Sequence, residues 1–145
     1  MLDPGNVPGN VPGNVPGVDP QERLSRFILT KRHVNQETKQ LKADAFLPHP
    51  HEELSVTRDR DASELEIWRV GLDVAEKRGK SLHGRGDAIA ATYLSQKLKT
   101  VADPISGNPN HVNITDWPSA DDKAAQKLVA QEIAAVAKFI PTLDV

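Results

Sequence analysis

The sequence predicts an α+β fold, with three helices packed on a small sheet of three or four short strands behind a disordered N-terminal tail. Three observations lead there. Stretches beginning at Ser63 and Ser119 join a helix-start signal to apolar residues at helical spacing. Short apolar runs near 26–30, 54–58 and 111–115 suit strands. These strands do not alternate strictly with helices, which argues against a doubly wound parallel sheet.

The tail, residues 1–20, repeats Pro-Gly-Asn-Val from Pro4, Pro8 and Pro12, with a partial copy at Pro16-Gly17-Val18. Pro-Gly pairs favour turns, and a valine every fourth residue is too little apolar surface to bury, so the tail is expected to stay disordered. Residues 21–145 then form a single domain. Only 4% of the chain is aromatic, so Phe27, Phe46, Trp68, Tyr93, Trp117 and Phe139 are the bulky anchors of an otherwise aliphatic core.

Within that domain, Arg26-Phe27-Ile28-Leu29-Thr30 reads as a strand and Lys31–Lys42 as a polar loop. Pro48-His49-Pro50-His51 forbids a helix, and Leu54 and Val56 alternate with Ser55 and Thr57 in a second strand. Ser63 and Glu66 form a capping box for a helix bearing Leu65, Trp68, Leu72 and Ala75, widened by Ile67, Val70 and Val74. Residues 79–86 read as a turn before a second helix over 87–98. Thr100-Val101-Ala102 suits a brief strand, and His111-Val112-Asn113-Ile114-Thr115 another, with Val112 and Ile114 inward. A last helix, opened by Ser119, runs with Ala125, Leu128, Val129, Ile133, Val136 and Ile140 on one face to Pro141.

Composition narrows the chemistry. The absence of cysteine removes disulfides, thiolate catalysis and cysteine-ligated zinc. No apolar stretch reaches membrane-spanning length and the N-terminus has no export pattern, so the sequence is read as cytoplasmic, without a membrane partner. The net charge of −2 resides in Asp3 and Asp19, which leaves the remainder neutral and argues against bulk nucleic-acid binding. One local excess stands out: Arg23, Arg26, Lys31, Arg32, Lys39 and Lys42 face only Glu22 and Glu37, which suits either a solvated segment or an anion-binding face.

The candidate site is the turn at His83, Gly84 and Arg85. Glycines expose backbone amides near a helix start, where an anion is favoured, while Arg85 and His83 could grip it. The competing reading gives the glycines to backbone geometry, Asp87 to a helix cap and Arg85 to a carboxylate. His111 and Asn113, on the polar face of their strand, and Arg58 would complete a cationic pocket if the sheet brings them to that turn. The expected function is therefore a small binding domain for an anionic ligand, a nucleotide or nucleic-acid phosphate, through Arg58, His83, Gly84, Arg85, His111 and Asn113.

Two alternatives belong to other classes. His83 and His111 could act as base and acid in a metal-independent phosphodiesterase or nuclease. Alternatively, exposed apolar surface near Trp117 and Pro118 could dock a protein partner. His49 and His51, with Glu52 and Glu53, are candidate metal ligands, but proline-flanked histidines suit exposed loops, and no metal or cofactor is expected. No P-loop, dinucleotide fingerprint or nucleophile elbow is present.

Overall fold

The computed structural model describes residues 17–48 and 52–142. Strands β1 (Arg23–Ile28), β2 (Leu54–Arg58), β3 (Gly84–Ile89), β4 (Lys99–Ala102), β5 (His111–Thr115) and β6 (Lys138–Pro141) form one sheet in the order β4-β5-β2-β1-β3-β6. Every pairing is antiparallel. Helices α1 (Glu64–Lys77), α2 (Ala90–Leu94) and α3 (Lys123–Val136) complete the set, with short 3-10 turns at Lys31–His33 and Ala43–Phe46.

The sheet is thus larger than the three or four strands expected, and two segments account for the difference. Residues 84–89 are the long strand β3, where a turn and the start of a helix were expected. Gly84 and Gly86 explain why. A Cβ on Gly84 would lie 2.5 Å from the Ile140 carbonyl oxygen, and one on Gly86 would lie 2.8 Å from Leu41 Cδ1 and 3.0 Å from Phe46 Cζ. Both glycines therefore serve close packing within and onto the sheet. The second segment is Lys138–Pro141, expected as the end of the last helix. Ala137 turns extended, and residues 138–141 pair with the free edge of β3. Edge pairing satisfies backbone groups that helical periodicity does not reveal.

Other expectations hold in part. The Ser63–Glu66 capping box is complete in both directions. Leu54, Val56, Val112 and Ile114 are buried. The cap of α3 moves from Ser119 to Asp122, whose carboxylate accepts from the Ala125 N–H. Of α1, it is Ile67, Gly71 and Ala75 that are buried, while Leu65 and Leu72 are exposed.

Alternation divides the sheet into two unlike faces. Leu24, Ile28, Leu54, Val56, Val112 and Ile114 meet Phe46 and the Ala130, Ile133 and Ala134 stripe of α3 in the apolar core. The opposite face, under α1, is polar. Register places His111, Thr57, Ser25 and Asp87 in one rung across β5, β2, β1 and β3. Phe27 supplies the apolar contact to the helix, close enough that a Cβ on Gly71 would lie 2.7 Å from its ring.

The repeat over 4–16, and His49 and His51, lie outside the described residues. No described helix is long and apolar enough to cross a membrane.

Candidate functional site

Beneath α1 the polar rung divides into two regions of opposite character. Under the N-terminal half of the helix, Arg85 is 2% exposed and its Nε donates to both carboxylate oxygens of Asp87 at 3.1 Å. Its Nη2 meets Glu64, its guanidinium lies 4.7 Å from the Trp68 ring centre, and Ser25 Oγ donates to Asp87 at 2.7 Å. Arg23 also binds Glu64. Hydrogen bonds from Arg85 and Arg23 hold the Glu64 carboxyl below its ordinary range. The positive charge here is answered by carboxylates. Arg85 Nη1 and Arg23 Nε are buried without a hydrogen-bond partner among the described residues, as is the Tyr93 hydroxyl.

Further along α1, the sheet opens. β1 and β2 are in register at Leu24↔Arg58 and Ser25↔Thr57, and pairing stops there. Arg26 spans the break, its Nε donating to the Ala45 carbonyl at 3.0 Å and its Nη1 to the Ser55 carbonyl at 3.1 Å. A cavity of about 470 Å³ lies against this opening. Phe27, Val70, Val74 and Ile105 give it apolar walls, and Thr57, Asn108 and His111 give it a hydrogen-bonding floor.

Its charge is one-sided. Arg26, Arg32, Arg78 and Lys80 line it together with His33, and none of these four cations has a carboxylate within 4.0 Å among the described residues. The lining Asp73 is matched by Lys77 at 3.0 Å. Burial pushes the Arg26 guanidinium down to about 10; nearby Tyr93 opposes this, and repulsion from Arg78 adds to it. It remains a cation at neutral pH. His33 is held below its ordinary range first by burial, then by Arg26 and Arg32, against the opposing pull of Asp44. Arg26, desolvated and repelled by Arg78, together with the exposed Arg32, Arg78 and Lys80 around the same cavity, favours an anion within it.

At the β5 side, a chain of hydrogen bonds orients His111. Asn113 Nδ2 donates to Asp103 Oδ2 at 2.9 Å, and His111 Nδ1 lies 3.0 Å from the Asp103 carbonyl and 3.3 Å from Oδ2. Asn108 Nδ2 donates to Thr57 Oγ1 at 3.0 Å and so fixes the floor beside it.

The residues expected to form the site are not gathered in one place. Arg58 is buried on the apolar face opposite Leu24, bound to Glu22 through Nε and Nη2 and to the Gly17 carbonyl. His83 lines a separate hollow with Lys31, Val34 and Phe139. Gly84 packs against β6, and Arg85 is consumed by Asp87 and Glu64. His111 alone of the six lines the cleft, with Asn113 behind it through Asp103. His83 and His111 therefore do not share one phosphate, the arrangement a two-histidine mechanism needs. Trp117, expected as a docking surface, is 7% exposed and donates from Nε1 to the Ile114 carbonyl.

Sequence reasoning missed Arg78, Lys80, Asn108 and Asp103. The basic excess in 22–42 carried the signal for Arg26 and Arg32. Among the described residues no group of three metal-ligating side chains gathers. Comparison with protein-family models, curated proteins and solved structures gives no match for this chain.

Proposed function

We propose that this protein binds a small phosphate-bearing anion in the cleft between α1 and the opening of β1 from β2. One observation supports the reading above the rest: Arg26, Arg32, Arg78 and Lys80 surround a single cavity without carboxylate partners among the described residues. Under the N-terminal half of α1 the buried Arg85 is paired with carboxylates, so leaving the half-buried Arg26 without one, with the exposed Arg32, Arg78 and Lys80 beside it, is a local departure. A phosphate would supply the missing charge through charge-assisted hydrogen bonds. The 470 Å³ volume falls in the range of pockets that enclose small ligands.

The test is a titration of the full chain with inorganic phosphate at low ionic strength, followed by amide and histidine NMR. Phosphate is expected to move His33 and the amides of 29–33, with loss of these shifts in Arg32→Ala and Arg78→Ala. Shifts that survive both substitutions, or that centre on His83 and Gly84, reject the cleft.

A further inference from the structure

His111 carries information about what accompanies the phosphate. Its Nδ1 is turned toward two oxygen atoms of Asp103, a carbonyl and a carboxylate, and both are acceptors. A nitrogen between two acceptors must carry the proton, so in the neutral ring Nε2 holds a lone pair. Asn113 fixes Asp103 from behind. Nε2 makes no hydrogen bond among the described residues and is the ring nitrogen left to meet a ligand in the cleft that His111 lines. The ionised phosphate of a monoester, whose second proton leaves at about pH 6, has no O–H to offer such an acceptor. The ligand must also cover the apolar walls formed by Phe27, Val70, Val74 and Ile105.

We infer that the ligand is a nucleoside phosphate, its phosphate among Arg26, Arg32, Arg78 and Lys80 and an N–H or O–H of its nucleoside donating to His111 Nε2. The inference rests on the cleft being an anion site and adds the chemical class. A nucleoside supplies the three things that the cavity asks for: negative charge at one end, a ring for the apolar walls and a hydrogen-bond donor. A phosphorylated sugar supplies the first and third, and inorganic phosphate, held among the four cations, offers no ring for the walls and no donor beyond its own O–H.

The experiment compares adenosine 5′-monophosphate, ribose 5-phosphate and inorganic phosphate by calorimetry on the full chain, with the imidazole nitrogens followed by NMR. The monophosphate is expected to bind about tenfold more tightly than either smaller anion. Its binding should move the His111 Nε2 signal, which inorganic phosphate leaves in place. In His111→Ala, affinity for the monophosphate should fall about five- to tenfold, the effect of one hydrogen bond, and its advantage over inorganic phosphate should shrink accordingly. Because that variant could fold poorly, the Nε2 signal in the unaltered protein stands as an independent readout. Equal affinity for all three anions with Nε2 unmoved overturns the nucleoside assignment and leaves the anion site standing. Ribose 5-phosphate matching the monophosphate overturns it in favour of a sugar phosphate. Failure of all three to bind overturns the anion site and this inference together.

Discussion

Arg26 and Arg85 stand on neighbouring strands, Arg85 being directly opposite Phe27, the residue that follows Arg26. Arg85 is buried and Arg26 half-buried. Arg85 is given Asp87, Glu64 and the Trp68 ring, whereas Arg26 is given two backbone carbonyls. Carbonyls satisfy N–H geometry but leave the net charge uncancelled. The difference separates two uses of a buried cation: Arg85 spends its charge within the fold, and Arg26 retains it at the edge of a cavity that Arg78 and Arg32 also face. Burial alone therefore does not mark a functional arginine, and its electrostatic account with neighbouring carboxylates does.

The largest test of this contrast is stability. Arg85→Met removes the partner of Asp87, which is 9% exposed, and is expected to destabilise the protein by about 3–5 kcal/mol in chemical denaturation. Arg26→Met leaves two carbonyls unsatisfied but also removes a desolvated, repelled cation, so its cost should be no more than about 1–2 kcal/mol. A larger loss for Arg26 than for Arg85 would break the comparison. Ligand binding should show the reverse order: inorganic phosphate affinity falls about tenfold in Arg26→Met, from loss of a charge-assisted hydrogen bond, and stays near its original value in any Arg85 variant that folds.

Much of the fold was legible because it rests on local signals. The Ser63–Glu66 box and the alternation of Leu54 with Val56 and Val112 with Ile114 are written in adjacent residues. β3 was not legible, since its alternate positions are Gly84, Gly86 and Ala88 on one face and Arg85 and Asp87 on the other. That is a strand with no apolar alternation to detect, and it becomes buried only because distant Ser25, Glu64 and Trp68 answer its charges. β6 was obscured by Ile140, which continues the apolar spacing of the last helix. The site failed for a related reason. Chemistry-bearing residues at 83–87 are close in sequence, but a strand points Arg85 and Asp87 toward α1 while His83 lines a hollow elsewhere. The cleft draws instead on residues from 26 to 111, brought together by the break in β1–β2 pairing, which no local pattern announces.

Glu64 sharpens the comparison from the paired side. Arg85 and Arg23 hold its carboxyl below the ordinary value, so its contribution is present above the carboxylate range and is lost as pH falls through its folded-state value. Glu64→Gln should reduce the acid sensitivity of unfolding below about pH 4.5, with an effect limited because Glu64 itself is largely exposed. An unchanged acid limb in that variant would mean that the Arg85 network draws its stability from Asp87 alone.

The smallest expected effect lies on the unpaired side. His33 titrates below its ordinary value because burial, Arg26 and Arg32 disfavour its charged form, with Asp44 opposing them. Above about pH 6.5 both folded and unfolded chains hold it neutral. As pH falls below that value the unfolded chain takes the proton first, so stability declines until the folded-state value is passed. An anion in the cleft reverses the repulsion, raises the His33 value and flattens this decline. Denaturation at pH 7.5 and 5.5, with and without sulfate, a dianion at both values, and with His33→Gln as reference, is therefore expected to show a sulfate-dependent gain that is greater at the lower pH. A gain equal at both values, or one that persists in full in His33→Gln, would place the anion away from Arg26 and dissolve the distinction between the two arginines.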